Sequence, residues 1–588
     1  MIVEAEEKDI PGQIPRVRIT RRQPDLPEDT LPLEMAPILR RVYLARGVRS
    51  AAEIDRSLQA LLPVDELGGV AQAVELLAGV MEIGGRILVV GDFDADGATS
   101  SALCLLAMRA MGHRDIDFLV PNRFEYGYGL TPEIVELAIE RRPDLILTVD
   151  NGISSNAGVA AAHAAGINVL VTDHHLPGAQ LPRAAAIVNP NVPGDRFASK
   201  AAAGVGVIFY VLLALRARLR ELDWFRRKQI EEPNMASFLD IVALGTVADV
   251  VPLDRNNRIL VHQGLMRIRE GRCRPGILAL LEQAGRDHRR VQASDMGFAV
   301  GPRLNAAGRL DDMSLGINCL LTEDMQQARM QAEQLDRLNR ERREIEQGMQ
   351  QQAEALLSHW QWGEGDLPWG LCLFQEDWHQ GVIGILASRI KERYHRPVIA
   401  FAQADEHTIK GSARSIPGLH IRDALDALAA RHPRLLQKFG GHAMAAGMSI
   451  RREHFSDFAI AFDQVVHELL DDQDLQPVLV SDGAIPPQQM TLETAEALAA
   501  GGPWGQAFVE PLFDDVFDIV SKRIVGERHW KLVLRHVSGA PCVDAIAFNT
   551  VEDFPELPQR VHVAYRLDIN EWRGQTSLQM RIDHLEPA

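Results

Sequence analysis

Three short apolar runs in the first third of the chain end in acid or imidazole, and this restricts the fold more than any other feature. Ile87-Leu88-Val89-Val90 leads through Gly91 into Asp92-Phe93-Asp94-Ala95-Asp96-Gly97. The run 145–149 (LILTV) leads into Asp150-Asn151-Gly152, and the run 167–171 (INVLV) leads into Asp173-His174-His175. With 116–120 (IDFLV) and 186–188 (AIV) they make five apolar runs, most separated by helical segments. Apolar strands alternating with helices describe a parallel α/β sheet covered on both faces. In an open parallel sheet all carboxyl ends lie on one edge, where ligands bind. The acids and histidines therefore converge although they are far apart in sequence.

Several carboxylates cannot sit together ionised unless a cation neutralises them or some take up protons. Carboxylates with imidazole and no thiolate suit Mg²⁺ or Mn²⁺ better than zinc. A cluster this acidic has the ligands for two ions, as in enzymes that displace a phosphoryl oxygen in line. Singly, each element has a plain structural reading: a solvated turn for Asp92, Asp94 and Asp96, an ordinary turn after a strand for Asp150, a hydrogen-bonded structural residue for one histidine. Jointly, three strand ends delivering only Asp and His to one edge argue for a metal site. Asp249 in GTVADVVPL (245–253) sits between apolar runs. Its pattern alone divides evenly between an exposed helix end and a member of the cluster.

The remaining chain divides by pattern. Residues up to about 40 are Pro-rich and charged, an arm with little core of its own. Residues 41–321 form the first α/β domain. Within it, Ala201 to Leu215 is apolar but interrupted by Gly204 and Gly206, and is shorter than the ~18 residues of a membrane span; it is a buried helix. Thr322 to Leu357 has no Pro and opens Thr322-Glu-Asp like an N-cap, which predicts one long helix within 322–360. A second α/β domain covers 361–470, with strands near 371–374, 397–401 and 409–413. In 471–588, strands near 515–525, 529–536, 542–548, 561–569 and 577–583 suit a small closed barrel of the OB type.

Charge and cysteine content narrow the setting. The net charge is 62 − 80 = −18, so no global cationic field draws in a polyanion, and local basic residues or bound cations must do so. Five cysteines, none at CxxC spacing, suggest neither a disulfide framework nor a zinc ribbon, and the acidic N-terminus lacks a signal-peptide layout. A reducing cytoplasm, with no membrane, is the expected setting. No Walker A or Rossmann fingerprint occurs.

Nine segments in series carry a resemblance: VVGDFDADG (89–97), NRFEYGYG (122–129), TVDNG (148–152), TDHH (172–175), GTVADVVPL (245–253), GPRLNAAGRL (301–310), GVIGILASR (381–389), GSARS (411–415) and FGGHAMAAG (439–447). The chain resembles the DHH phosphoesterase superfamily, and within it the branch of single-strand-specific 5′→3′ DNA exonucleases. The resemblance implies a DHH domain, a long helix, a DHHA1 domain and an OB fold. It implies that Asp92, Asp94, Asp96, Asp150, His174 and Asp249 ligate two Mn²⁺ or Mg²⁺ ions, with Asp150 bridging them. The second site would fill well only with Mn²⁺ or excess Mg²⁺. Asp173 would orient or ligate, and His175 would face the scissile phosphate. Many superfamily members begin the first motif with His; this chain has Asp92.

Arg303, Asn305 and Arg309 bring two guanidinium forks and an amide to one short segment, suited to phosphate contact or to a structural pairing with acids. Ser412 and Arg414, with Arg123, resemble the pocket that reads a DNA 5′ end. Gly440-Gly441-His442 has the composition of a phosphate nest. Arg226-Arg227-Lys228, Arg289-Arg290 and Arg342-Arg343 read as solvated faces. In the barrel, Phe548 and Trp572 are candidates for base stacking, whereas Trp530 and Tyr565 fall in phase with the core. The implied activity is metal-dependent 5′→3′ degradation of single-stranded DNA to 5′-mononucleotides in recombination and repair. Single-strand-binding protein and other repair factors are the expected partners. Two rivals are a phosphodiesterase for short oligonucleotides or cyclic dinucleotides, which would need no extended binding path, and a scaffold that has lost its metal ligands.

Overall fold

The computed structural model describes residues 17–23, 27, 30–121, 126, 129–361, 367–539, 542–572 and 574–588. They divide into two compact units. One holds Arg21–Asn339 and Ser481–Ala588, the other Arg340–Val480 with the residues up to Thr20.

The first unit is built on a five-stranded parallel sheet in the spatial order Ile116–Leu119, Ile87–Gly91, Leu145–Val149, Asn168–Thr172, Ala186–Val188. Every residue of Ile87–Gly91 and Leu145–Val149 is buried. Strand periodicity divides their side chains between two cores: Ile87, Val89, Leu145 and Leu147 on one face, Leu88, Val90 and Ile146 on the other. Each such side chain contributes about 1.5–3 kcal/mol by leaving water, so the sheet is a rigid base for the loops at its carboxyl edge. The fourth strand begins one residue later than the apolar run predicts. The Ile167 amide donates to the Ala162 carbonyl at 2.9 Å and closes the preceding helix, while Thr172 joins the strand and donates from Oγ1 to the Thr148 carbonyl at 2.7 Å.

The apolar stretch from Ala201 forms the helix Gly204–Glu221, buried along most of its first half as expected. The long helix runs Met325–Gln361. It starts three residues after Thr322 because Asp324 is the residue whose carboxylate accepts the amides of Gln326 and Gln327, at 3.1 and 3.3 Å. The division between the units falls inside this helix.

In the C-terminal part of the first unit, Phe513–Val525, His529–His536, Val543–Ala547, Gln575–Pro587 and Arg560–Trp572 close into a five-stranded barrel, its one parallel pair being Val543–Ala547 with Gln575–Pro587. Trp530 and Tyr565 are buried in it and Phe548 is half-exposed; the side chain of Trp572 lies outside the described residues. The barrel is fastened to the helix Pro37–Leu44 and its surroundings. Tyr43 donates to the Gly501 carbonyl at 2.6 Å, Arg46 grips Asp482 through two bonds of 2.8 and 2.9 Å, and the Leu253 amide donates to Gln506 at 2.7 Å. Trp504 stacks on Phe508 with ring centres 5.1 Å apart. Further toward the N-terminus, Arg21 holds Asp514 at 2.8 Å.

The second unit is a mixed sheet in the order Lys438–Gly441, Ala445–Arg451, Thr408–Arg414, Val398–Gln403, Leu371–Phe374, with only the last two parallel. Phe401, Phe458 and Phe462 anchor its core. Lys438–Gly441 is an edge strand paired with Ala445–Arg451, and the His442 amide closes the turn onto Ala445 at 2.8 Å. Among the described residues, no helix is long and apolar enough to cross a membrane.

Candidate metal centre

The loop after the first strand is ordered by its own acids. Asp92 accepts the Phe93 amide at 2.8 Å. Asp94 is the N-cap of the helix Ala95–Ala110, and its Oδ1 accepts the Asp96 and Gly97 amides at 3.0 Å each. Asp96 is fully buried and faces the start of the helix Gly204–Glu221, whose Gly204 and Val205 amides reach its two oxygens at 2.6 and 3.0 Å. A helix N-terminus offers unpaired amides and partial positive charge, which offsets one buried carboxylate. Asn305 accepts the Ala95 amide at 2.8 Å and so braces the loop from the helix Gly301–Leu310.

Asp150 takes a left-handed backbone conformation at φ 61°, a strained position for a non-glycine residue. Its amide is held by the Thr172 carbonyl at 3.0 Å. The buried carboxyl lies so close to the helix start that a Cβ on Gly204 would fall 2.6 Å from the Asp150 Cβ; only glycine fits there. His174 Nε2 stands 3.1 Å from Asp150 Oδ1 and 3.5 Å from Asp249 Oδ2. Asp249 caps the C-terminal end of the helix Leu239–Ala248, and its evenly divided reading resolves in favour of the cluster. Three overlapping sets each bring their ligand atoms within 4.8 Å of one another: Asp92, Asp94 and Asp150; Asp96, His174 and Asp249; Asp150, His174 and His175.

This crowding has an electrostatic signature. Burial, with repulsion from Asp96 and Asp94, pushes the Asp150 and Asp249 carboxyls well above their ordinary range. Burial and Asp94 raise Asp96 to about 7, even against the amides of Val205 and Gly204. Charge held under such repulsion is relieved by a cation. The donor set is carboxylate oxygen and imidazole without thiolate, which fits Mg²⁺ or Mn²⁺.

Asp173 plays a different part. Its Oδ1 accepts the His174 and His175 amides at 2.7 and 3.0 Å and lies 2.8 Å from His175 Nδ1; its Oδ2 accepts the Ile153 amide at 2.9 Å. Between orienting and ligating, the geometry favours orienting. Burial would raise the Asp173 carboxyl, but the His175 bond and charge outweigh it and hold it below the ordinary range. Burial lowers His175, but Asp173 prevails and brings it to about 9.

Sequence reasoning missed three supporting asparagines. Asn191 and Asn189 donate to the His174 and His175 carbonyls at 2.6 and 2.9 Å, and Asn151 ties the Val90 and Val149 carbonyls at 3.0 and 2.9 Å. The signal available was Asn189-Pro190-Asn191 directly after an apolar run, a rigid turn rich in side-chain amide.

The expected substrate contacts are distributed. Arg303 is buried and bound to Asp336 of the long helix at 2.8 Å and to the Ala299 carbonyl at 2.6 Å, so its structural reading gains support. Arg309 is half-buried on the same helix, and Arg123 lies outside the described residues. In the second unit Arg414 donates to Ser412 Oγ at 3.1 Å. A Cβ on Gly384 would fall 2.9 Å from Arg414 Nη2 and 3.0 Å from Ser412 Oγ, which brings the start of the helix Ile383–Tyr394 against both. An arginine, a hydroxyl and a helix N-terminus together make an anion cradle. His442 sits on the edge-strand turn of that unit.

Comparison with known proteins agrees with this architecture. Residues 86–246 match the DHH family, N-terminal domain; 369–468 match the DHHA1 domain; 481–584 match the RecJ OB domain. The chain is 56% identical over 574 residues to the single-stranded-DNA-specific exonuclease RecJ of Escherichia coli, covering 97% of this chain and 99% of that protein. It is 33% identical over 563 residues to RecJ of Thermus thermophilus, covering 93% and 75%. The crystal structure of Thermus thermophilus RecJ in complex with Mn²⁺ superposes with a TM-score of 0.80 at 31% identity, covering 97% of this chain and 80% of that one. The Mg²⁺ complex superposes at 0.75 and 29% identity.

Proposed function

From the premise that this chain belongs to the RecJ family of single-stranded-DNA-specific exonucleases, we propose that it removes nucleotides from the 5′ end of single-stranded DNA at the acidic edge of its parallel sheet. It is an exonuclease that uses Mn²⁺ or Mg²⁺. The observation that carries the residue assignment is the meeting of Asp92, Asp94, Asp96, Asp150, His174 and Asp249 in overlapping groups of ligand atoms. Asp150, which like His174 belongs to two of these groups, would be shared between the ions, and Asp96 would ligate through lone pairs its amide bonds leave open. When bound, two divalent cations supply Lewis-acid polarisation of the phosphodiester and offset charge on the departing 3′ oxygen.

The chain's own groups position the substrate. His175, held at Nδ1 by Asp173, would face the scissile phosphate. Asn305 keeps the metal loop in register through Ala95, with Arg309 on the same helix as a phosphate contact. Ser412 and Arg414, with Arg123 and His442, read the 5′-terminal phosphate. This reading includes release of 5′-mononucleotides during recombination and repair, a cytoplasmic setting, and contact with single-strand-binding protein and other repair factors.

The test is an exonuclease assay with Mn²⁺ or Mg²⁺ on matched single-stranded and duplex DNA labelled at either end. The expected result is mononucleotide release from the 5′ end of single strands alone. Cleavage of dinucleotides with no action on longer strands would overturn it.

A further inference from the structure

Val250, directly after Asp249, takes a left-handed backbone conformation at φ 60°, as Asp150 does. A β-branched side chain is a genuine outlier there, and such backbone persists only where its surroundings impose it. Val250 is 64% exposed, so its own side chain does not hold it in place.

The turn is held at its two ends. On one side the Asp249 amide continues the helix Leu239–Ala248 by donating to the Gly245 carbonyl at 2.9 Å. On the other, the Leu253 amide donates to the Gln506 carbonyl at 2.7 Å. The Pro252 carbonyl accepts from the Asp254 amide at 2.9 Å and from Asn257 Nδ2 at 2.9 Å. Asn257 lies in the first turn of the helix Arg255–Arg269, where Asp254 caps its amide at 2.9 Å. This helix packs hard against Leu239–Ala248: a Cβ on Gly264 would collide with the Leu239 carbonyl.

Asn257 has a second attachment. The same Nδ2 donates to the Ala201 carbonyl at 2.7 Å. Ala201 lies shortly before Gly204 and Val205, whose amides grip the two oxygens of Asp96. Ser199 fastens that segment to the same helix cap, its Oγ donating to Asp254 Oδ2 at 2.6 Å. One amide group therefore joins the segment that seats Asp96 to the turn that carries Asp249. With His174, these two acids form one of the overlapping ligand groups.

Asn257 is fully buried, and its Oδ1 has no hydrogen-bond partner among the described residues. A buried acceptor left unpaired costs stability, so the side chain serves here as a donor. Its two amide hydrogens go to the two carbonyls. We propose that Asn257 is a positioning residue of the metal centre: it ties the left-handed turn behind Asp249 to the segment that seats Asp96, and so holds the two carboxylates ready for a divalent cation. The inference rests on the metal-centre part of the exonuclease reading and deepens it.

Mn²⁺ binding to the full chain, measured by calorimetry without DNA, tests it. The variants are Asn257→Ala, Asn256→Ala and the double variant Asn257→Ala/Val250→Gly. Asn256 is the control, a buried amide on the same helix whose Oδ1 accepts from the Leu62 amide at 3.1 Å and the Tyr210 hydroxyl at 2.9 Å. Asn257→Ala should weaken Mn²⁺ binding about 10–100-fold, the usual range for a partner that orients a ligand. Raising Mn²⁺ in proportion should restore its kcat, with KM for DNA unchanged. Asn256→Ala should lower the melting temperature and leave the Mn²⁺ Kd as it is in the wild type. Val250→Gly should return part of the affinity lost in Asn257→Ala, because glycine takes left-handed backbone without a Cβ penalty.

An unaltered Kd in Asn257→Ala would overturn the proposal. So would equal weakening by Asn256→Ala, or no recovery with Val250→Gly. Should Asn257→Ala fail to fold, Asn257→Ser, which keeps one hydroxyl donor, is judged by the same criteria. A wild type that binds no Mn²⁺ would fell the metal-centre reading and the proposal with it. A wild type that binds Mn²⁺ but shortens no strand would fell the exonuclease reading alone, and the Kd comparison would still decide Asn257.

Discussion

One oxygen of Asp173 sets the direction of His175: Oδ1 lies 2.8 Å from the imidazole Nδ1 and takes the His175 backbone amide at 3.0 Å. The His174 amide shares the same oxygen at 2.7 Å. Asp173→Asn keeps the shape, but its NH2 in place of Oδ2 cannot accept the Ile153 amide, and it removes the charge that faces His175. We expect kcat to fall about 10–100-fold, the usual cost of an orienting partner, with DNA affinity little changed. Steady-state kinetics beside anisotropy binding would check it; an unaltered kcat would remove Asp173 from the mechanism.

Asp150→Ala separates the metal from the fold. Burial first, and then the charges of Asp96, Asp94, Asp249 and Asp92, push the carboxyl toward neutrality, so its loss relieves both. Turnover should vanish while the metal-free melting temperature stays level or rises. Mn²⁺ at a hundredfold over Kd should stabilise the wild type by about 2.7 kcal/mol, and the variant by much less. Mn²⁺-dependent cleavage retained in Asp150→Ala would refute the bridging assignment.

Arg414→Ala addresses the second unit. The guanidinium leans on Ser412 at 3.1 Å and on the Ala413 carbonyl at 2.8 Å, and burial holds its pKa below the ordinary value. KM should rise about tenfold or more for 5′-phosphorylated strands, since charge-assisted phosphate bonds are the strong ones, and less for 5′-hydroxyl strands. An equal rise for both would exclude Arg414 from end recognition.

The barrel carries a pH-dependent clasp. Asp514 is met by Arg21 at 2.8 Å and His562 at 3.0 Å, with Ser481 also bonded, and His562 turns its other nitrogen to Glu586 at 3.0 Å. Burial would raise Asp514, but the bonds from Arg21, Ser481 and His562 hold it below its ordinary value. Burial would lower His562, but Asp514 and Glu586 raise it. The Asp514 contribution is present above the unfolded carboxylate range and lost in acid. That of His562 is complete below about 6.5 and lost as pH climbs through its raised value. His562→Gln should therefore lower the melting temperature near pH 6 more than near pH 9, about half a unit below and well above the free imidazole value. A loss equal at both would show that the clasp is not ionic.

The catalytic edge was legible because its signals are local: an apolar run long enough for one strand, then Asp or His. Parallel topology alone carries those ends together. What stayed hidden depends on contacts across long stretches of chain. The bond from Gly204 to Asp96 spans 108 residues, and no spacing rule announces that a glycine opening an apolar helix will cap an acid in another loop. Arg303 reads equally as a phosphate ligand or a structural cation until Asp336 is seen beside it, 33 residues on. The Lys438–Gly441 strand escaped notice because glycine leaves no apolar alternation to read, and its order comes from the neighbouring strand.

The way the barrel is fastened, through Tyr43 to Gly501, Arg46 to Asp482 and Leu253 to Gln506, bears on what evolution and engineering can do with it. It shares one hydrophobic core with the parallel-sheet fold, so it is not a cassette on a tether. A premature stop before residue 481 would strip Tyr43 of its partner and open a continuous core to water. Swapping in a foreign barrel would demand co-inheritance of the 37–46 and 250–256 surfaces. In this chain the barrel and the parallel-sheet domain are one packed body.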